Sequence, residues 1–188
     1  MDFKNILFAN LESHEAAIEE VRRLSGEFGQ VAYILNETLL SGKKVLLIGN
    51  GGSAADAQHF AAEIVARYVK NRRGLPAIAL TTDSSVMTAI GNDLSFDRVF
   101  SRQIEALACD GDLVVAFSTS GTSENVVQGV IEAKKKNCRV VGFLGRDGGK
   151  LQDLVDVALT VKVNATARIQ EAHQLMYHAL CQVLEESL

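Results

Sequence analysis

Two stretches of the sequence carry side chains whose types and spacing suit metal chemistry. The first contains His59 and Glu63, with Arg67 following at the same interval. On an α-helix that interval places all three side chains on one side within about two turns. The neighbouring residues are mostly apolar, so the pattern is not that of a broad solvated helix face. An imidazole and a carboxylate one turn apart are therefore candidates for a metal or catalytic site.

Near the end of the sequence, Gln170 and His178 lie in a stretch of helical character. At about 100° per residue they differ by about 80° around the helix axis and can share a face. From this helix alone a structural histidine is the more common interpretation, because glutamine is an infrequent metal ligand. Together with His59 and Glu63, the four side chains supply two imidazoles, a carboxylate and an amide oxygen. Such a mixed set suits Zn²⁺ or a similar divalent ion.

The residues just before the first of these helices have the composition of an anion-binding turn. Residues 44–49 are an apolar run that predicts a buried strand, and Asn50, Gly51 and Gly52 predict a tight turn after it. Ser53 is a suitable N-cap for the helix that follows. Free amides at a helix N-terminus favour a phosphate or a carboxylate. An ordinary strand-to-helix connection is the alternative, since the turn lacks the lysine of a P-loop.

A second turn, rich in hydroxyl groups, follows a later apolar run. Its hydroxyl-bearing residues are Ser118, Thr119, Ser120, Thr122 and Ser123. Serine and threonine are also ordinary helix caps, and the glutamate that follows fits a capping arrangement. The density of hydroxyl groups exceeds what capping needs, so phosphate binding is the favoured interpretation.

Short apolar strands alternate with helical stretches along most of the chain. The strands are predicted at residues 44–49, 77–81, 112–117, 139–144 and 157–163. This alternation predicts an α/β fold, a three-layer, flavodoxin-like parallel sheet flanked by helices. Both polar turns follow strands, which places them at the carboxyl edge of the sheet, where ligands bind.

The remaining segments are predicted to be helices and loops of a single domain. Residues 1–41 form an apolar helical arm with a break near Gly26–Gly29, and residues 42–188 form the α/β core. Residues 84–91 predict a short helix, and Asn92 and Asp93 begin a polar loop after it. The apolar arm must cover either its own sheet or another subunit.

Composition argues against several classes of protein. The formal net charge of -4 argues against nonspecific nucleic-acid binding. No apolar run is long enough for a membrane span, and no basic-then-apolar leader is present, so neither a membrane protein nor secretion is expected. Cys109, Cys138 and Cys181 are odd in number and far apart, which favours reduced thiols in the cytoplasm.

Taken together, these motifs resemble the sugar isomerase (SIS) family and, within it, the phosphoheptose isomerases, which convert sedoheptulose 7-phosphate to D-glycero-D-manno-heptose 7-phosphate. The resemblance covers nearly the whole chain, including GNGGSAADAQHFAAE, AIALTTD, GND, STSGTSENV and RIQEAH. It implies a parallel sheet flanked by helices and a homotetramer with active sites between subunits. It also implies a Zn²⁺ ion in each subunit and a role in making the ADP- or GDP-heptose precursors of lipopolysaccharide or capsule.

The same resemblance implies roles for individual residues. The metal ligands would be His59, Glu63, Gln170 and His178. The substrate contacts would be Asn50, Gly51, Gly52, Ser53, Asn92, Asp93, Ser118, Thr119, Ser120, Ser123 and Gln170. Aldose-ketose isomerisation through an enediol suits Glu63 as the base at carbon and His178 as the proton carrier between the oxygens. Ala167 stands where some members have an acid, so no role for an acid is implied there.

Two alternatives to this function stay open. A related SIS protein is a non-enzymatic bacterial regulator that binds the replication initiator DnaA, and SAADAQHFAA and LPAIAL resemble it as well. That regulator has non-ligating residues in place of Glu63 and His178, and both are intact here, which favours the isomerase. The second alternative is isomerisation or binding of another phosphosugar, such as a pentose or hexosamine phosphate.

Overall fold

The computed structural model describes residues 3–188. Its strands are β1 Val45–Gly49, β2 Ala77–Ala79, β3 Leu113–Ser118, β4 Arg139–Gly145 and β5 Val157–Val161. Its helices are α1 Phe3–Arg23, α2 Ser25–Leu40, α3 Gly52–Val65, α4 Ser84–Asp93, α5 Val99–Leu107, α6 Glu124–Lys135 and α7 Thr166–Ser187. Short 3-10 turns lie at Phe96–Arg98 and Gly149–Leu151.

The five strands form one parallel sheet in the order β2-β1-β3-β4-β5. This order confirms the predicted flavodoxin-like α/β fold. β1 and β3 are neighbours at the centre of the sheet, with Gly49 paired to Phe117. β2 lies outside β1 on one side, and β4 and β5 lie outside β3 on the other. The loops that follow these two strands therefore lie side by side at the topological switch point, where sheets of this kind bind ligands.

Alternate residues of the strands pack into two separate hydrophobic clusters. Val45 and Leu47 of β1 face the cluster formed with α1, α2, α3 and α7. Leu46 and Ile48 face the cluster formed with α4, α5 and α6. Burial on both faces explains why the central strands are continuous apolar runs. It also places α3 and α7, which carry the predicted metal ligands, on the same face of the sheet.

The helix break predicted near Gly26–Gly29 is present but lies at Leu24, two residues earlier than predicted. α1 ends at Arg23 and α2 begins at Ser25, so both glycines lie inside α2. A Cβ atom at either glycine would meet nothing within 4 Å, so this side of the helix is open. The opposite side buries Val31 and Leu35 in the core, and that packing outweighs the low helix propensity of glycine.

Several predicted ends also differ from the structure. β2 ends at Ala79 and β5 at Val161, each two residues earlier than predicted. Asn92 and Asp93 are the last residues of α4 and do not begin a loop. The backbone N–H of Leu94 still donates to the Ile90 carbonyl, which extends the helical hydrogen bonds past the predicted end. Residues 1 and 2 of the predicted arm lie outside the described residues.

Within residues 3–188, no helix has the length and apolar character needed to cross a membrane.

Candidate active site

The turn after β1 leads directly into α3 and packs against α7. Gly51 is the N-cap residue, with φ 56°, a conformation that favours glycine. Ser53 lies inside the first turn and is buried, so its prediction as the N-cap is wrong. A Cβ atom at Gly52 would overlap the side-chain amide of Gln170. Glycine at that position therefore allows α7 to bring Gln170 against the start of α3.

Three of the predicted metal ligands come together between α3 and α7. His59 Nε2 lies 3.2 Å from Glu63 Oε1 and 3.4 Å from His178 Nε2. One ligand atom from each residue lies within 4.8 Å of the others. Two imidazoles and a carboxylate at this spacing can hold a divalent metal ion. We call these three residues the His–Glu–His group.

Arg67 does not join this group, although the sequence predicts it on the same helix side. α3 ends at Val65, and the Arg67 guanidinium donates to the carbonyl of Val69. The terminal carbonyls of α3, those of Glu63 and Ile64, accept hydrogen bonds from Arg72. That capping ends the helix before Arg67.

A residue not singled out in the sequence orients His59. The Tyr177 hydroxyl lies 2.9 Å from His59 Nδ1, and its ring stacks on Phe60 at a centroid distance of 5.3 Å. A hydrogen-bond partner at Nδ1 fixes the orientation of the imidazole ring, so that Nε2 faces Glu63 and His178. Burial, followed by the field of Asp56, raises the pKa of the Tyr177 hydroxyl, which keeps it protonated.

The surroundings of the second histidine of the group, His178, favour its neutral form. Burial and the neighbouring His59 lower the pKa of His178, and Glu63 only partly opposes them. A neutral imidazole is the form that ligates metals. The ring of Tyr68 lies against that of His178, with centroids 5.6 Å apart.

A buried carboxylate fixes the segment that carries Tyr68. Glu185, on the last turn of α7, accepts hydrogen bonds from the backbone N–H groups of Tyr68, Val69 and Lys70 at 2.8, 2.9 and 2.8 Å. Arg72 Nε lies 3.4 Å from the same carboxylate. Although burial opposes ionisation, these hydrogen bonds lower the pKa of Glu185. We call Glu185 with this segment the Glu185 clamp; it ties the ends of α3 and α7 together.

Asp56 is a buried carboxyl group on α3, about one turn before His59. Its Oδ2 has no hydrogen-bond partner among the described residues. Burial raises the pKa of this carboxyl to about 6, and His59 partly opposes the rise. Sequence patterns did not single it out, because an aspartate in the first turns of a helix is ordinary.

A separate cavity of about 260 Å³ lies where the loops after β1 and β3 meet. It is lined by Asn50, Gly52, Ser53, Phe117, Ser118, Thr119, Ser123, Thr166 and Gln170, and we call it the anion pocket. The loop after β1 is joined to the start of α6 by reciprocal side-chain hydrogen bonds between Asn50 and Asn125, at 2.8 and 2.9 Å. Hydroxyl and amide groups at helix starts make this a suitable place for a phosphate.

Other predicted contacts lie outside this pocket. Ser120 lines a neighbouring cleft, where its hydroxyl accepts from the N–H and the hydroxyl of Thr122. Asn92 and Asp93 are exposed and hydrogen-bonded to each other at 2.7 Å. Gly51 is an exposed turn residue. The structure thus brings Asn50, Gly52, Ser53, Ser118, Thr119, Ser123 and Gln170 together.

The fold is a flavodoxin-like α/β domain with a polar pocket at the switch point, and the family model for the SIS domain matches residues 11–145. A phosphoheptose isomerase of Geotalea uraniireducens is 55% identical over 181 residues, covering 96% of each protein. The chain therefore belongs to the SIS family and, within it, to the phosphoheptose isomerases.

Solved structures of similar proteins have the same fold. The phosphoheptose isomerase GmhA from Neisseria gonorrhoeae has a TM-score of 0.92 and 43% identity, covering 97% of this chain and 98% of that one. A phosphoheptose isomerase from Francisella tularensis has a TM-score of 0.95 and 36% identity, covering 99% and 100%.

Proposed function

We propose that this protein interconverts sedoheptulose 7-phosphate and D-glycero-D-manno-heptose 7-phosphate. The observation that carries the proposal is the placement of two sites along one pair of helices. From Ser53 to His59 is about 9 Å along α3, and from Gln170 to His178 is about 12 Å along α7. The substrate carries its phosphate at one end and its carbonyl near the other. A phosphate in the anion pocket therefore directs the reacting carbons toward the His–Glu–His group.

In this proposal Glu63 removes a proton from the carbon next to the carbonyl. His178 then moves protons between the two oxygens of the enediol. Glu63 has two carboxylate oxygens, so one can face a metal ion while the other faces the substrate carbon. The hydroxyl groups of Ser118, Thr119 and Ser123 hold the phosphate as neutral donors in an acidic protein.

The proposed metal is Zn²⁺, one ion per subunit, held by His59, Glu63, Gln170 and His178. The chemistry of the three clustered donors supports this choice, because imidazole and carboxylate ligands suit zinc. When bound, the ion supplies Lewis acidity at the substrate carbonyl. Gln170 lines the anion pocket and starts about 12 Å along α7 from His178, so in this proposal its side chain extends from the pocket toward the ion.

We also propose a homotetramer whose active sites lie between subunits. One support is the apolar face of α1, where Phe3, Ile6, Leu7, Phe8 and Leu11 are exposed. Another is the position of Asn92 and Asp93, which are exposed and away from the anion pocket of their own chain. Sedimentation should give four chains per particle. Mixed and reassembled Glu63→Gln and Asp93→Asn proteins should regain part of the activity that each lacks alone, and no recovery would count against shared sites.

The product is proposed to enter ADP- or GDP-heptose synthesis for lipopolysaccharide or capsule in the cytoplasm, where the three free cysteines stay reduced. The DnaA-binding regulator is disfavoured, because both Glu63 and His178 take part in the clustered group. Proton NMR of sedoheptulose 7-phosphate with the metal-loaded protein tests the reaction. Turnover of a pentose or hexosamine phosphate without turnover of the heptose would favour the other alternative.

A further inference from the structure

A second polar cavity lies beside the anion pocket and is lined by other residues of the same loop. This cleft of about 720 Å³ is formed by Ser120, Thr122, Arg146, Asp147, Lys162 and Asn164, and we call it the basic cleft. Ser118, Thr119 and Ser123 face the anion pocket, whereas Ser120 and Thr122 face the basic cleft. One hydroxyl-rich loop therefore separates two polar cavities at the carboxyl edge of the sheet.

Two cations stand side by side in the basic cleft. Arg146 and Lys162 each follow the last residue of a strand, and those last residues, Gly145 and Val161, are paired in register. Within the part of the chain that the structure describes, neither the guanidinium nor the ammonium group has a hydrogen bond or an ion pair. Asp147 is the acidic residue of the lining, and its Oδ1 already accepts from the Gly149 N–H at 3.1 Å. With two cations and one carboxylate, the lining still carries an excess of positive charge in a protein whose net charge is -4.

The backbone holds Arg146 in an uncommon conformation. Its φ is 59°, in the left-handed region that a residue with a side chain rarely adopts. The conformation is maintained by a hydrogen bond from the Arg146 N–H to the Val161 carbonyl at 3.0 Å. Strained residues of this kind occur more often at ligand sites than elsewhere.

The walls of the basic cleft are in direct backbone contact. Gly121 has φ 66°, and a Cβ atom there would overlap the Gly148 carbonyl. The Leu151 N–H donates to the Gly121 carbonyl at 3.0 Å. These contacts fix the hydroxyl-rich loop against the turn after β4, so the cations and the hydroxyl groups are held around one space.

We propose that the basic cleft binds a phosphoryl dianion at a site distinct from the anion pocket. Two cations give charge-assisted hydrogen bonds to phosphate oxygens, and the hydroxyl of Ser120 and the amide of Asn164 supply neutral donors. The dianion belongs to a second phosphorylated molecule or to free phosphate, because the substrate's own phosphate lies in the anion pocket in the proposed function. Binding of inorganic phosphate does not require the isomerase reaction, so the proposal can fail or succeed independently of the proposed function.

Calorimetric titration with inorganic phosphate at low salt tests the site. The wild-type protein should bind two phosphates per chain, and the double variant Arg146→Gln/Lys162→Gln should bind one of them at least tenfold more weakly. Lys135→Gln/Arg139→Gln removes the same charge at exposed positions near the opposite edge of the sheet and should behave as wild type. Identical phosphate binding in the two double variants would overturn the proposal. If the cleft variant does not fold, Lys162→Gln alone leaves the strained position unchanged and should still weaken binding.

A second titration separates the basic cleft from the anion pocket. A heptitol 7-phosphate lacks the carbonyl and cannot react, so it can be held at saturation. It should displace the phosphate of the anion pocket and leave one phosphate bound per chain in the basic cleft. Displacement of both phosphates, or a single phosphate bound to the wild-type protein without the compound, would contradict a distinct site.

Discussion

The Tyr177 hydroxyl lies 2.9 Å from Nδ1 of His59, across the contact between α7 and α3. The tyrosine is buried, and its ring stacks on Phe60. The position of the hydroxyl is fixed, because Tyr177 lies on α7 and its ring is buried in the core. The imidazole of His59 is therefore held with Nε2 toward Glu63 and His178. Partners of this kind commonly set the orientation and basicity of a ligating histidine.

Tyr177→Phe should weaken metal binding while keeping the ring in the core. The loss of one partner at Nδ1 is expected to lower Zn²⁺ or Co²⁺ affinity by about tenfold, the lower end of the usual effect of such residues. Competition with a chelating dye measures the affinity directly. Tyr33→Phe, at an exposed tyrosine, is the matched control. Equal affinities in the two variants would show that the Tyr177 hydroxyl does not support the site.

Glu185→Gln should loosen the Glu185 clamp. The amide keeps the size of the side chain but replaces one of the two oxygens that accept the three backbone hydrogen bonds and removes the negative charge. This loss should lower the free energy of unfolding by about 1.5–3 kcal/mol. Because Tyr68 packs on His178, metal affinity should fall as well. Glu186→Gln, at the exposed neighbouring position, is the control. Denaturant unfolding and metal titration of both variants check the two effects, and a stable Glu185→Gln protein would contradict the clamp.

Ser123→Ala should raise the KM for the phosphosugar. Loss of one hydroxyl donor to a phosphate is worth about 1–2 kcal/mol, which corresponds to a factor of about 5–30. Ser25→Ala, at the exposed start of α2, should leave the KM unchanged. Steady-state kinetics distinguishes the two, and an unchanged KM in Ser123→Ala would remove this residue from the anion pocket's function.

The stability of the metal-free protein should depend on pH through two buried groups with opposite effects. Burial raises the pKa of Asp56 to about 6, so its contribution to stability is present at low pH and is lost as the pH rises through about 6. Burial lowers the pKa of His173 to about 4, so its contribution is present above about pH 6.5 and is lost as the pH falls toward 4. Between these values the two groups offset each other.

Asp56→Asn should therefore remove only the first contribution. In a chelator, the free energy of unfolding of this variant should rise with pH from 4 to 7 more steeply than that of wild type. At pH 7 the variant should be more stable by on the order of 2 kcal/mol. Asp153→Asn, at an exposed position, serves as the control. A variant less stable than wild type at pH 7 would contradict the assignment of Asp56 as a destabilising buried charge.

The sequence predicted those features that depend on local pattern. Apolar runs predicted five strands in the correct order along the chain, and the spacing of His59 and Glu63 predicted their common face. The strand and helix-face predictions hold because strand burial and helix periodicity are set within a few residues. The pairing with His178 came from the chemistry of the four donors and from the family resemblance, and the structure brings His59, Glu63 and His178 together.

The supporting residues could not be predicted in the same way. Tyr177 and His59 are 118 positions apart, and Glu185 is 116 positions from Val69. No short pattern links such pairs, because their meeting depends on how α7 packs across the sheet. The prediction that Arg67 shares a helix face with His59 and Glu63 fails for the same reason. The last carbonyls of α3 are capped by Arg72, which comes later in the sequence than the pattern that was used.

Isomerisation of sedoheptulose 7-phosphate in D₂O, followed by NMR, tests the central claim most directly. The account predicts that the metal-loaded wild-type protein places solvent deuterium on the carbon beside the carbonyl, and that folded, metal-bound Glu63→Gln places none. Equal deuterium incorporation by the variant, or none by the wild type, would contradict proton abstraction by Glu63 at the His–Glu–His group.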